Sequence, residues 1–151
     1  MSDPHWIVSL SDVVGDDELV DAAAAAIRST WWSTGPRVGG LEEQFADAIG
    51  CRHAIAVANG TAALQLAFVA LGIGRGDEVV TPSLTFVAAA NAIRQTGAEP
   101  VFCDIVGDGE LNLDPADVEA AITPRTKAIC VLHYGGSASA STSSIAHAKP
   151  P

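Results

Sequence analysis

The 151 residues are 48% hydrophobic and 17% charged, which excludes a disordered chain and is enough for one domain with a core. A net charge of −10 argues against nucleic acid or an anionic membrane surface as partner. A bound phosphate would therefore have to be held by backbone donors and a few local groups.

Cys51, Cys103 and Cys130 are odd in number and widely separated. Without a Cys-x-x-Cys or histidine pairing, they are expected to be small core residues in a reducing compartment, with neither a disulfide framework nor a metal site. The opening MSDPHWIVSL has no basic segment followed by a long apolar run, so no leader peptide is expected and the cytoplasm is the expected location.

In chain order, Ser11 to Ser29 reads as a helix. Asp16, Asp17 and Glu18 lie at its start and Arg28 at its end, as the helix dipole favours, and Leu19, Val20, Ala23, Ala24 and Ile27 form its apolar stripe. Residues 31–40, WWSTGPRVGG, are expected to be loop because of Gly35-Pro36 and Gly39-Gly40. The two tryptophans there are packing anchors or part of a ligand wall. Leu41 to Ile49 is again helical in period, and Gly50 is placed to end it.

Ala54 to Val57 is a short apolar run of strand length, interrupted by Asn59-Gly60-Thr61. After it Leu64, Phe68 and Leu71 recur at helical steps. A strand, a tight turn and a helix start are expected, and the first free N–H groups of that helix favour an anion. Gly60 allows close approach, and the Thr61 hydroxyl can cap the helix or donate to a phosphate oxygen. A turn and a cap alone would also call for these residues. Ala54 to Gly74 is uncharged and long enough to span a bilayer, but its polar interruptions and changing period favour a buried strand and helix.

Gly72 to Asp77 is a loop between helix and strand, the reverse of the order a dinucleotide fingerprint requires. Glu78 to Val80 reads as a strand closed by Thr81 and Pro82, and Phe86 to Gln95 as a helix ended by Gly97. Pro100 to Ile105 follows as a strand, and Gly107 to Asn112 as a polar turn. Asp114-Pro115 caps a helix that Thr123-Pro124 stops, and Lys127 to Tyr134 is a fourth strand. The alternation predicts an α/β fold, a mostly parallel sheet with helices on both faces. Ligands in such sheets sit beyond the carboxyl ends of the strands. That rim is expected to carry Asn59-Gly60-Thr61, Thr81 to Phe86, Asp104 and His133-Tyr134. Residues 137–151 are small and polar and are expected to be a disordered or aberrant Ser/Ala-rich tail.

Together TGPRVGGLEEQFA (34–46), AVANGTAALQLAF (56–68), GRGDEVVTPSLTFVAAANAI (74–93), GAEPVFCDI (97–105), LDPADVEAAITPRTKAI (113–129) and VLHYGG (131–136) closely resemble the DegT/StrS-type nucleotide-sugar aminotransferases. The resemblance, over residues 7 to 136, implies the N-terminal part of the large domain of a pyridoxal-phosphate-dependent transferase of fold type I. Residues 1–136 would be that incomplete large domain. The resemblance places the phosphate of pyridoxal 5′-phosphate at Gly60, Thr61 and the backbone of Ala62, and the pyridine ring against Phe86. Thr34 and Gly35 would lie near the sugar nucleotide. An amino acid would be the amine donor, and a homodimer the family's assembly.

The family's ring-nitrogen carboxylate and Schiff-base lysine come later in its pattern. Of the two lysines here, neither Lys127 nor Lys149 resembles the latter, and His133 is not at the position where some dehydratase relatives use histidine. No catalytic residue is therefore assigned. The expectation is a truncated, inactive and self-associating form. The alternatives are a non-catalytic phosphate- or partner-binding remnant, or a relative of the sugar dehydratases.

Overall fold

The computed structural model describes residues 15–138, and the chain divides after Ala56 into two compact units. Lys149, and all of residues 137–151 except the first two, lie outside the described residues.

The first unit contains α1 (Asp17–Arg28) and α2 (Pro36–Ile49). Asp16 caps α1, its side chain accepting the Leu19 amide at 2.8 Å. The apolar stripe is present but uncovered, with Leu19, Val20 and Ile27 all more than half exposed. The expected loop over residues 31–40 is corrected, because α2 begins at Pro36 and runs through Gly39-Gly40. Proline at the first helical position costs no hydrogen bond, and two glycines weaken a helix without ending it. Gly50 ends α2 in the left-handed region at φ 72°.

Two further expectations fail in this unit. Cys51, following that turn, is exposed and not a core residue. Residues 54–57 form no strand. An apolar run becomes a strand only against a partner, and among the described residues none pairs with it. Instead the Glu42 carboxylate accepts the Ala56 amide at 2.8 Å, and Ile55 is 80% exposed.

The second unit is built on a parallel sheet in the order β2-β1-β5, from β1 (Glu78–Pro82), β2 (Glu99–Cys103) and β5 (Thr126–Ile129). Around it lie α3 (Gly60–Ala70), α4 (Ala88–Thr96) and α5 (Pro115–Ala121). Every residue of the central strand β1 is buried. Its alternation divides the core. Val79 packs with Phe68, Ile73, Ala92 and Ile93 on the α3 and α4 side. Val80 packs with Cys103, Leu113 and Val118 on the α5 side. Helices thus cover both faces, as expected.

Several boundaries differ from the sequence reading. Thr81 and Pro82 complete β1 and do not follow it. The strand expected over Pro100 to Ile105 breaks at Asp104, whose amide turns to the Asp117 carboxylate at 2.6 Å. The expected polar turn is instead a hairpin of β3 (Ile105–Gly107) and β4 (Glu110–Leu113), with Asp108-Gly109 at its tip. Asp114 caps α5 through the Ala116 amide at 2.9 Å. Strand β5 stops at Ile129, and the chain then enters a turn, Tyr134–Gly136, whose two glycines have φ of 61° and 80°.

At the amino edge Glu78, 5% exposed, accepts the Thr123 hydroxyl and pairs with the Arg125 guanidinium. That closes the α5–β5 connection under β1.

Candidate functional site

Chain direction fixes which ends of α3 and α4 lie at the carboxyl rim of the sheet in the second unit. Residues 71–77 return the chain from α3 to the start of β1, and Gly97-Ala98 return it from α4 to β2. A Cβ on Gly97 would lie 3.6 Å from the Arg75 amide, and one on Gly74 3.8 Å from the Thr96 carbonyl. Both helices therefore end at the amino edge of the sheet, and both begin at its carboxyl edge.

Asn59 organises the start of α3. Its backbone is extended, its Oδ1 accepts the Ala62 amide at 2.9 Å, and its carbonyl accepts the Ala63 amide at 3.1 Å. Of the two roles the sequence leaves open for Thr61, the cap thus falls to Asn59, and an asparagine directly before an apolar helical period is itself a cap signal. Among the described residues the Gly60 and Thr61 amides and the Thr61 hydroxyl have no partner. Gly60 is exposed and a Cβ on it would meet nothing within 4 Å, so open space lies beside it. No charged residue lies in the first turn, which leaves the helix dipole unopposed.

Beneath this rim Thr81, fully buried, faces the same side as Val79, and its hydroxyl has the Cys130 thiol as a weak sulfur partner but no oxygen or nitrogen partner. The neighbouring Cys130 thiol is pushed up by burial, with the Thr81 hydroxyl pulling weakly the other way. Cys103 is raised to about 11, first by burial and then by the Asp117 carboxylate. Neither thiol is a nucleophile near neutral pH.

Phe86 is not the first residue of a helix. It lies in the loop before α4 and is 78% exposed, so it is no core residue and its ring is available. The Ser83 amide fastens the start of that loop to the Cys103 carbonyl at 2.8 Å. Asp104 is exposed, and its carboxylate accepts the Ile105 amide at 2.8 Å. His133 and Tyr134 follow β5 and are also exposed. A residue the sequence reading passed over holds that last segment. Asn112, 3% exposed, accepts the Tyr134 amide at 2.9 Å and donates to the Ser137 carbonyl at 3.4 Å. The available signal was an amide at a buried position between two leucines.

Thr34 and Gly35 belong to the first unit. The Trp31 indole donates to the Thr34 carbonyl at 2.8 Å and lies close against Gly35, where a Cβ would sit 2.6 Å from Nε1. Trp31, Ser29, Ser33, Gly35, Pro36 and Arg37 surround a concavity of about 150 Å³. Trp32 donates to the Ile27 carbonyl at 3.1 Å and is 77% exposed. Both indoles are tied to local backbone, and neither is a buried anchor.

Among the described residues no helix is long and apolar enough to cross a membrane.

Comparison with known proteins supplies the wider context. The model of the DegT/DnrJ/EryC1/StrS aminotransferase family matches residues 14–148. The spore coat polysaccharide biosynthesis protein SpsC of Bacillus subtilis is 47% identical over 132 residues, covering 87% of this chain and 33% of that protein. The S. venezuelae protein DesV, solved in complex with a ketimine intermediate, is 42% identical with a TM-score of 0.73, over 80% of this chain and 32% of that one. The sugar aminotransferase Spr1654 of Streptococcus pneumoniae in its PLP form is 30% identical with a TM-score of 0.75, over 80% of this chain and 31% of that one. The chain spans about a third of the length of the relatives it matches.

Proposed function

This chain belongs to the DegT/DnrJ/EryC1/StrS aminotransferase family, whose members use pyridoxal phosphate, and from that premise we propose that its second unit cradles the phosphate of pyridoxal 5′-phosphate. One observation carries the reading. The Gly60 and Thr61 amides are unpartnered, with open space beside Gly60, at the start of a helix with no charge in its first turn. The buried Thr81 hydroxyl, with no oxygen or nitrogen partner, adds a polar group on the α3 and α4 side of the sheet. The residues present therefore fit the group.

When bound, this cofactor supplies the electron sink for moving an amino group. The chain's own residues bind and orient. The Gly60 and Thr61 amides and the Thr61 hydroxyl donate to phosphate oxygens. The Ala62 amide, expected to join the cradle, is taken by the Asn59 carboxamide, so Ala62 lines the cradle without donating to the phosphate. Phe86 offers a ring face for stacking on the pyridine. In this reading residues 1–136 are part of the cofactor-binding large domain, and Thr34 and Gly35 lie towards a sugar nucleotide. The parent reaction is amino transfer from an amino acid to a keto group on a nucleotide-linked sugar, carried out by a homodimer.

A second reading, phosphate binding without chemistry by these 151 residues, is favoured by the place of Lys127. It is the second residue of β5 and lies at the amino edge of the sheet, opposite the cradle, where its amine cannot serve a group bound at Gly60.

Equilibrium dialysis with pyridoxal phosphate, followed by borohydride reduction and peptide mapping, separates the two readings. Saturable binding that inorganic phosphate competes away is expected for the cradle. Stoichiometric trapping on one lysine supports the first reading alone, and binding with only scattered labelling supports the second. Absence of binding contradicts both.

A further inference from the structure

The segment after β5 has no ladder of its own. The last sheet bond is donated by the Cys130 amide to the Val80 carbonyl at 2.8 Å, which brings the following residues out on the carboxyl rim beside Thr81 and Pro82. From there His133 to Ser137 fold into a turn with two backbone bonds of its own, from the Gly136 amide to the His133 carbonyl and from the Ser137 amide to the Tyr134 carbonyl, each 3.1 Å. Gly135 and Gly136 both have positive φ. Such a short, glycine-rich turn has many alternatives and little intrinsic preference among them. Something outside it must select one conformation.

Asn112 does this from another supersecondary unit. It is the next-to-last residue of β4, with the buried Leu113 beside it in the α5-side core. Its carboxamide bonds both ends of the turn, Oδ1 to the Tyr134 amide and Nδ2 to the Ser137 carbonyl. A side chain 3% exposed with both polar atoms spent on backbone 22 and 25 residues away is an expensive way to finish a hairpin unless the partner segment must be held. Leucine has a similar size and would fill this buried position without desolvating an amide.

We infer that Asn112 is a positioning residue. By clamping both ends of the His133–Ser137 turn it sets the place of Tyr134 on the rim that holds the cofactor-binding cradle, so that Tyr134 faces the ligand held there. The ligand part rests on the proposed function; the clamp itself does not.

Tyr134 is the only tyrosine of the chain, so fluorotyrosine incorporated into the 151-residue protein gives one fluorine resonance that reports this turn. In the native protein a line shifted from free fluorotyrosine is expected, moving again when pyridoxal phosphate is added. Asn112→Leu should bring the line to the free position and speed Tyr134 amide exchange by about tenfold or more, the effect of losing a buried hydrogen bond. The amides of Val79, Val80 and Phe68 should keep their protection. Asn112→Asp retains the acceptor for the Tyr134 amide and should restore most of its protection.

An unmoved line and unchanged exchange in Asn112→Leu would overturn the clamp, as would loss of protection spread evenly over the unit. If the variant behaves as expected but pyridoxal phosphate binds the native protein without moving the line, the clamp stands and the facing of the ligand is wrong. If pyridoxal phosphate does not bind at all, the proposed function and the ligand-facing part fail together, while the exchange result decides the clamp.

Discussion

The Asn59 carboxamide accepts the Ala62 amide at 2.9 Å, and this one bond separates the donors that shape the start of α3 from those left for a ligand. Replacing Asn59 by alanine should lower stability by about 1 kcal/mol, the usual loss for a helix cap, read as a lower urea midpoint with an unchanged slope. Asn59→Asp keeps the cap and suits the dipole, so its stability should match the native chain. Its charge opposes a phosphate at Gly60, however, and affinity for pyridoxal phosphate should fall by about tenfold or more. Equal affinity in the two proteins would remove the anion from this helix start.

Gly35 and Gly39 should respond to alanine in opposite directions. A Cβ on Gly35 would meet the Trp31 indole at 2.6 Å, whereas one on Gly39 meets nothing within 4 Å. Gly35→Ala must displace the ring and its bond to the Thr34 carbonyl, shifting tryptophan fluorescence and costing about 0.5–1.5 kcal/mol, the scale of one hydrogen bond. Gly39→Ala, inside α2, should raise stability by about 0.5–1 kcal/mol with unchanged fluorescence. The two variants are compared by urea unfolding followed through tryptophan emission.

Cys103 makes stability fall in alkali. Its thiol is raised from 9.0 to about 11 in the folded chain, mainly by burial, so above pH 9.0 the unfolded chain loses this proton before the folded one does. The Cys103 contribution is therefore complete below about pH 9 and is lost between that and about pH 11. The decline from pH 8 to 11 should be smaller in Cys103→Ala than in the native chain, measured as the change in urea midpoint across the series. Parallel declines would show that the thiol titrates alike in both states. The exposed Cys51 should be alkylated well before Cys103 at pH 8.

The sequence revealed most where a signal is local and chemical. The cap at Asp114, the glycines that end α2 and α4, and the alternation of strands and helices all follow from short-range chemistry, and the structure has them, whereas Asp16 proves to be the cap of α1 and not part of its first turn. The misses share a cause. Residues 54–57 and 130–134 are apolar enough for strands but lack a neighbour along part or all of their length, and pairing is a property of two segments. The β3–β4 hairpin was hidden because its three- and four-residue strands are shorter than any period can reveal, although Asp108-Gly109 marked the turn. At the site, Gly60 and Thr61 stood out through turn chemistry. The roles of Asn112, Thr81 and Glu42 depend on contacts across the fold and leave no trace in spacing.

The central claim is that an anion sits on the free amides at the start of α3. It is tested most directly by following backbone amide resonances of the isotope-labelled 151-residue chain during titration with pyridoxal phosphate, with pyridoxal as the control that lacks the phosphate. The largest saturable shifts are expected at Gly60 and Thr61, smaller ones at Ala62 and in the Phe86 loop, and little change at the Gly60 amide with pyridoxal. Saturation by pyridoxal phosphate with the Gly60 and Thr61 amides unmoved, or equal shifts with pyridoxal, would contradict it.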